Sequence, residues 1–418
     1  MMSAAILMLA ATLASGQTDK GDWTRKLSFD VPKTWPCQEL SQDDLKALWL
    51  EGEAYGGKPT RVFAYLALPV DAQKGKKVPG VVLAHGGGGT AYPQWARTWA
   101  KKGYASIVVD TCGHLPLLVP SATGHRLVSS GAGGPAGWGR FEQGLRPATE
   151  QWPFHAVGAL VRAHSYLRSL PEVDAEKTGI TGISWGGFLT VLTTSADHRF
   201  KFAMPVYACG FYSEIDEICD FFRNGRAAAG QANVQAWDAL WDPKNHAPRM
   251  DVPTFWFASS NDAAFPFEPL QKTIRLLPTM PSLAIRVRMA HGHGPCGENM
   301  PELFRFADSI VRGAPPLPSV GMPIVRDGRV TVAFEPKGNR LARMELNWCE
   351  DEKPTKKSMW QIESRPISTE SSFCAPVPKG AKWLYVNLVL DGATGERVYP
   401  EAVVSSPAVR AFDIIPTP

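Results

Sequence analysis

The sequence predicts an α/β protein with a mostly parallel sheet and helices on both faces, followed by a small all-β domain of the sandwich type. Between about residues 60 and 312, short β-branched apolar runs alternate with longer segments of helical period, which is typical of parallel strands joined by crossover helices. After residue 322 the pattern changes to alternating segments separated by turns such as Asp327-Gly328. The length of 418 residues also exceeds that of an average single domain.

Each unit has its own set of predicted elements. The strands expected in the first unit are 61–68, 80–84, 105–110, 179–183, 202–208, 254–258 and 284–289. The helices expected there are 92–102, 154–170, 186–194, 267–277 and 301–311. The second unit is expected to contain strands 329–334, 342–348 and 382–390. The Gly- and Pro-rich stretch 115–151 lacks a clear period, so we expect a long excursion that borders a cleft.

Composition breaks divide the chain into segments. Residues 4–14 form an apolar run followed by small residues, which resembles a secretory signal peptide and is too short to span a bilayer. A Pro- and Gly-rich break at residues 313–323 ends the helical pattern. We therefore expect a signal peptide at 1–16, an α/β domain at 17–313, a linker at 314–321 and a β-sandwich domain at 322–418. The expected location is periplasmic or extracellular, without membrane insertion.

Charge and cysteine usage exclude several function classes. Lys plus Arg total 44 and Asp plus Glu 40, which gives a net charge of +4 with no basic run, so nothing indicates a nucleic-acid partner. The seven cysteines form no C-x-x-C pair, which argues against a zinc ribbon or a thioredoxin-like site. Cys349 and Cys374 fall in the same C-terminal segment and are the first candidates for a disulfide. Buried, unpaired cysteines are the alternative.

The strongest chemical signal is the segment GISWGG at residues 182–187. Ser184 stands between a predicted strand and a predicted helix, with Gly182 two residues before it and Gly186 two residues after it. Such a turn is so tight that only glycine clears the neighbouring backbone, and it exposes the serine oxygen above the sheet. This context predicts that Ser184 is a nucleophile, whereas an ordinary Gly-rich turn is the alternative.

A run of glycines follows the predicted strand at 80–84, in the segment HGGGG at residues 85–89. Acyl transfer needs backbone amides that point at the developing oxyanion. The amides of Gly87 and Gly88, together with that of Trp185, are the predicted oxyanion hole. A phosphate-binding loop is the rival interpretation, but the motifs that accompany such loops are missing. His85 is expected to anchor the loop rather than act as a base.

The acid and base are expected on loops after two later strands. Asp262 follows the predicted strand 254–258, and we expect it to accept the imidazole N–H of the base. Asp110 also ends a strand, but it precedes the nucleophile and is expected to be structural. Two histidines follow the strand 284–289, and either can be the base: His291 is nearer the strand end, whereas His293 lies between two glycines. A metal site at this H-x-H is not expected, because no nearby carboxylate or cysteine cluster completes a ligand set.

The segments that carry these motifs resemble the α/β-hydrolase superfamily. They include VVLAHGGGGTAYPQWARTWAKKGYASIVVDTCG, KTGITGISWGGFLT and IRVRMAHGHGPCGENMPELFRFADSI. Residues 30–312 are similar to secreted bacterial acetyl xylan esterases, dienelactone hydrolases and prolyl-oligopeptidase-like hydrolases. The resemblance implies a triad of Ser184, Asp262 and His291, an oxyanion hole at Gly87, Gly88 and Trp185, and no cofactor. It also implies that the first histidine of M-x-H-x-H is the base.

Together these features predict a secreted serine hydrolase that cleaves carboxylic esters through an acyl-enzyme. Its expected substrate is an ester of a carbohydrate or another small molecule. One alternative is a prolyl-oligopeptidase-like serine peptidase, and another is a non-catalytic scaffold that binds glycan. The oligomeric state and the role of the β domain stay open.

Overall fold

The computed structural model describes residues 23–73, 75–121, 124–215, 219–366, 371–391 and 401–411. The predicted signal peptide at residues 1–16 lies outside this part of the chain. No helix within the described ranges is both long and apolar enough to cross a membrane.

The described chain contains twenty strands and nine α-helices. The strands are β1 Thr34–Pro36, β2 Lys46–Glu51, β3 Arg61–Ala67, β4 Val78–Ala84, β5 Ala105–Val109, β6 His114–Ser121, β7 Gly124–Ser129, β8 Val173–Ile183, β9 Phe202–Val206, β10 Phe255–Ser259, β11 Ser282–Arg286, β12 Ser319–Val320, β13 Ile324–Arg326, β14 Arg329–Glu335, β15 Leu341–Cys349, β16 Trp360–Arg365, β17 Ser372–Pro376, β18 Trp383–Leu390, β19 Val403–Ser405 and β20 Val409–Arg410. The α-helices are α1 Val70–Gln73, α2 Pro93–Lys101, α3 Trp152–Ser169, α4 Trp185–Ala196, α5 Tyr212–Ile215, α6 Asp220–Ala229, α7 Gln231–Trp241, α8 Phe267–Ile274 and α9 Pro301–Val311.

The first eleven strands, except for a separate hairpin of β6 and β7, form one large mixed sheet. Its order is β1-β2-β3-β5-β4-β8-β9-β10-β11. The pairs from β5 to β11 are parallel, and those from β1 to β5 are antiparallel. Every residue of β4, β5, β9 and β10 is buried, as expected for strands covered by helices on both faces. The predicted fold class is thereby confirmed.

The remaining strands form two antiparallel sheets, and the one that contains β19 packs against the edge of the large sheet. One contains β12, β14, β13 and β17, and the other contains β16, β15, β18, β19 and β20. The amide of Ile285 in the edge strand β11 donates to the hydroxyl of Ser405 at 2.8 Å. The ring of Phe267 packs against that of Trp360 with centroids 4.8 Å apart. The C-terminal strands therefore cover an edge that would otherwise be open to pairing.

The structure differs from the sequence-based expectation at several places. The stretch 115–151 contains most of the hairpin β6-β7, and β1, β2, α6 and α7 were not predicted. The candidate disulfide between Cys349 and Cys374 is not formed, and the alternative of a buried cysteine holds for Cys349. The physical reason is that the Cys349 side chain is buried, whereas that of Cys374 is exposed and its sulfur lies 3.2 Å from the guanidinium of Arg329.

Candidate active site

Ser184 occupies a strained turn between β8 and α4. Its backbone has φ 60° and ψ −120°, a region that side-chain-bearing residues rarely adopt. A Cβ atom at Gly182 would collide with the carbonyl of Gly186, and one at Gly186 would collide with the carbonyl of Ala84. The two glycines are therefore required by close backbone contacts, as the sequence predicted.

Asp262 lies in the loop after β10, with its side chain buried. Its Oδ1 accepts hydrogen bonds from the amides of Ala264 and Phe265, each at 2.8 Å. Its Oδ2 lies 2.8 Å from Nδ1 of His291. The two amides fix the carboxylate so that its second oxygen faces the imidazole.

His291 completes the connection to the serine. Its Nε2 lies 2.9 Å from Oγ of Ser184, while its Nδ1 faces Asp262. A proton on Nδ1 bonded to the carboxylate leaves Nε2 as the acceptor of the serine O–H. The imidazole ring packs beside the ring of Tyr207, with centroids 4.7 Å apart, and this contact restricts its tilt.

His293 has other partners, which argues against it as the base. Its Nε2 accepts the backbone amide of Gly86 at 2.9 Å, and its Nδ1 lies 2.7 Å from a carboxylate oxygen of Glu298. Burial is the main cause that lowers the pKa of this imidazole, against the opposing effect of Glu298. The two histidines of this loop therefore have different partners: His291 contacts Ser184 and Asp262, whereas His293 contacts Gly86 and Glu298.

The glycine loop at residues 85–89 passes beside the nucleophile. A Cβ atom built on Gly86 would lie 3.4 Å from Cβ of Ser184, and one on Gly87 would lie 2.6 Å from the indole of Trp185. Trp185 is the first residue of α4, so its amide lies outside the hydrogen bonds of that helix. The amides of Gly87 and Trp185 are therefore available close to the serine.

The backbone of Gly88 lies near the thiol of Cys112. Burial raises the pKa of the Cys112 thiol to about 12, and backbone hydrogen bonds from Gly88 and Gly89 partly oppose that rise. The role of the Gly88 amide as an oxyanion donor stays a prediction. The φ of Gly88 is 72°, which lies in the region that favours glycine.

His85 holds the glycine loop, and Asp110 holds the loop that follows β5. Nδ1 of His85 lies 2.7 Å from the carbonyl oxygen of Gly86, and its Nε2 accepts the amide of Thr111 at 2.9 Å. The Asp110 carboxylate accepts the amides of residues 112 to 114. Both residues therefore act on the backbone of the loops, which matches the structural role expected for each.

Sequence reasoning missed three residues that position these loops. The hydroxyl of Tyr207 lies 3.0 Å from the carbonyl of Ala290 and 2.7 Å from that of Cys296. Glu298 contacts His293. The side-chain amide of Asn261 donates to the carbonyl of Ser358, in the connection between β15 and β16. Of the three, only Asn261 could have been found from the sequence, because it immediately precedes the predicted acid Asp262. Among the described residues, no group of three or more His, Cys, Asp or Glu side chains could hold a metal ion.

The large sheet and its elbow turn define an α/β-hydrolase, and the chain is a serine hydrolase of the carboxylic ester class. The model of the acetyl xylan esterase (AXE1) family matches residues 39–252, half of the chain, and the chain belongs to this family. The predicted resemblance is thus confirmed. No curated protein matches the sequence.

Two solved structures share the fold. The acetyl xylan esterase from Paenibacillus sp. R4 is 19% identical, with a TM-score of 0.53 over 69% of this chain and 91% of that one. Acetyl xylan esterase 1 from Thermoanaerobacterium sp. JW/SL YS485 is 17% identical, with a TM-score of 0.50 over 69% of this chain and 90% of that one.

Proposed function

We propose that this protein is an esterase that removes acyl groups from carbohydrate or other small-molecule esters through Ser184, His291 and Asp262. The observation that carries the proposal is the continuous hydrogen-bonded path from the serine hydroxyl to the buried carboxylate. Its two links measure 2.9 Å between Ser184 and His291 and 2.8 Å between His291 and Asp262. Such a path is what a nucleophile, its base and the residue that orients the base require.

In the first half of the reaction, Nε2 of His291 takes the hydroxyl proton as Oγ of Ser184 attacks the ester carbonyl carbon. The carbonyl oxygen becomes an oxyanion, and the amides of the proposed oxyanion hole, Gly87, Gly88 and Trp185, donate to it. When the C–O bond breaks, the imidazolium returns its proton to the departing alkoxide, which leaves as an alcohol. Asp262 stabilises the imidazolium and stays ionised throughout.

In the second half, His291 takes a proton from water as the water oxygen attacks the acyl carbon. The resulting tetrahedral intermediate collapses, the proton returns to Oγ of Ser184, and the carboxylic acid leaves. These steps use only side chains and amides of this chain and a water molecule. They require no cofactor.

Acetylated carbohydrate is the proposed substrate class. Membership of the acetyl xylan esterase family supports it, and so does an aromatic pair beside the glycine loop. The rings of Trp138 and Phe221 stack with centroids 4.8 Å apart, and Phe221 is 52% exposed. The indole of Trp138 lies beside Gly87, so this aromatic pair offers a surface near the glycine loop on which a sugar ring can pack. Trp95 and Trp152, by contrast, are buried in the core.

We further propose that residues 1–16 direct export and that the chain divides at the linker 314–321 into a hydrolase domain and a β-sandwich domain. The change from one large mixed sheet to antiparallel sheets near residue 319 supports this division. The apolar run followed by small residues supports export.

Hydrolysis of 4-nitrophenyl acetate by the purified protein tests the esterase proposal. We expect turnover that is lost in Ser184→Ala and kept in Ser195→Ala, a matched substitution on the same helix whose hydroxyl bonds only within the protein interior. Release of acetate from acetylated xylo-oligosaccharides, set against cleavage of an aminoacyl 4-nitroanilide, then tests the substrate class. If the protein hydrolyses no ester and a fluorophosphonate does not label Ser184, the proposal is wrong.

A further inference from the structure

We propose that His293, held by Glu298, is a positioning residue that aims the oxyanion-binding amide of Gly87, an inference that rests on the proposed function. His293 lies two residues after the base His291, yet its Nε2 bonds to a loop 207 residues earlier in the chain, at the amide of Gly86. The imidazole therefore joins the loop that carries the base to the loop that carries the oxyanion donor.

The hydrogen bonds define the protonation state of this imidazole. A backbone amide can only donate, so Nε2 of His293 must be an acceptor and its proton must lie on Nδ1. Nδ1 faces the carboxylate of Glu298 at 2.7 Å, which accepts that proton and fixes the tautomer. A second proton on Nε2 would place two N–H groups against each other and break the bond to Gly86.

The effect on Gly87 follows from peptide geometry. The carbonyl of Gly86 and the amide of Gly87 belong to one planar group and point in opposite directions. Nδ1 of His85 bonds to the carbonyl oxygen of Gly86 at 2.7 Å. Nε2 of His293 accepts the backbone amide of Gly86 itself. The amide of Gly89 also donates to the carbonyl of Gly86, at 3.1 Å. The two imidazoles and this turn together set the direction of the Gly87 N–H.

The surroundings of His293 favour its neutral form. Its ring packs against those of Tyr92, at 4.4 Å between centroids, and Trp95, at 5.5 Å. Besides Glu298, the titratable groups that act on it are His85 from the glycine loop and His291 from its own loop, and both lower its pKa. His291 becomes an imidazolium during catalysis while His293 stays neutral, so the positive charge stays on the imidazole that transfers the proton.

Three variants separate positioning from proton transfer. His293→Gln keeps an acceptor oxygen near the place of Nε2, whereas His293→Phe keeps the ring and removes the acceptor. Glu298→Gln keeps an oxygen that can accept the Nδ1 proton of His293 but removes the negative charge of the carboxylate. His246→Gln is the control for the loss of a buried histidine, because its contacts lie with Leu240 and Ser195, away from the nucleophile.

We expect His293→Phe to lower kcat for 4-nitrophenyl acetate by roughly 10²-fold or more, the loss typical of a displaced oxyanion donor, with little change in KM. His293→Gln should recover most of that loss. The melting temperature of each variant reports whether the fold is retained. A His293→Gln variant as inactive as His291→Ala, or a His293→Phe variant with full kcat, overturns the proposal.

A second measurement does not depend on ester turnover. In the ¹⁵N-labelled Ser184→Ala protein, imidazole nitrogen shifts should show His293 with its proton on Nδ1, and the amide of Gly86 should exchange slowly with solvent. In His293→Phe that protection should be lost. If the protein hydrolyses no ester but these signals are as expected, the proposed function fails while the link between the loops stands. A proton on Nε2, or an unprotected Gly86 amide, contradicts the link itself.

Discussion

The side-chain amide of Asn261 lies 2.8 Å from the carbonyl oxygen of Ser358, which joins the residue before Asp262 to the C-terminal β region. The neighbouring Ser260 hydroxyl bonds to Oδ1 of Asn261 and accepts the amide of Arg288. Arg288 precedes the loop that carries His291. The C-terminal β region therefore contacts and supports the loops that carry Asp262 and His291.

Replacing Asn261 by alanine should loosen the acid loop. We expect Asn261→Ala to lower the free energy of unfolding by about 1 kcal/mol, as for one lost hydrogen bond, and to lower kcat more than it raises KM. Denaturant unfolding and ester kinetics measure the two effects. Asn245→Ala is the matched control, because that side chain bonds to backbone carbonyls within α7. An equal loss of kcat in both variants would argue against a specific effect on the acid loop.

Asp262→Asn should test the role of the carboxylate without changing its size. We expect kcat to fall by about 10⁴-fold, because the amide oxygen would keep accepting the amides of Ala264 and Phe265. The side-chain NH2 would then face Nδ1 and hold the imidazole in the wrong tautomer. Steady-state kinetics with a chromogenic acetate ester measure the loss. The exposed Asp251, replaced in the same way, should leave kcat unchanged. A Asp262→Asn variant within tenfold of wild type would exclude Asp262 as the acid.

Removing the ring of Phe267 should weaken the contact between the two regions of the chain. This buried ring packs against Trp360, Trp383 and Tyr385, with centroids 4.8 to 6.0 Å apart. We expect Phe267→Ala to cost about 3–5 kcal/mol of unfolding free energy, as for other large-to-alanine changes in a core. Thermal or denaturant unfolding measures it, with the exposed Phe221→Ala as the control that changes stability little. Equal stability of the two variants would contradict the packing argument.

The buried histidine His246 should make stability depend on pH. Burial lowers its pKa from 6.5 in the unfolded chain to about 4 in the folded protein. The folded-state pKa is the lower one, so the stabilising contribution is fully present above pH 6.5 and is lost as the pH falls towards 4. The loss is on the order of 3 kcal/mol for such a shift.

Urea unfolding at several pH values between 7 and 4 measures this dependence. His246→Gln should flatten part of the curve, and the rest should persist, because burial also lowers the pKa of His164 to about 4. An unchanged curve in His246→Gln would mean that this histidine does not titrate differently in the folded and unfolded states.

The sequence was sufficient for the features that depend on local geometry. The turn at Ser184 was predictable because close backbone contacts require its two glycines. The sheet was predictable because strands that are buried on both faces are short, continuous apolar runs. The choice between His291 and His293 was not decided by spacing, since both lie on one loop and only tertiary contacts assign their partners. The pairing of Cys349 with Cys374 was undecided for the same reason, because proximity along the chain does not show that one side chain is buried and the other exposed. Tyr207 acts through contacts with distant backbone, which no local pattern encodes.

The left-handed backbone at Ser184 has a consequence for how far this protein can be stabilised. A side-chain-bearing residue in that region costs on the order of 1 kcal/mol or more relative to glycine, and here φ is 60°. Ser184→Gly should therefore fold more stably than the wild type while losing its nucleophile. Selection for heat resistance alone would favour the loss of the one oxygen on which the proposed chemistry depends, so stability and activity are in direct conflict at this residue.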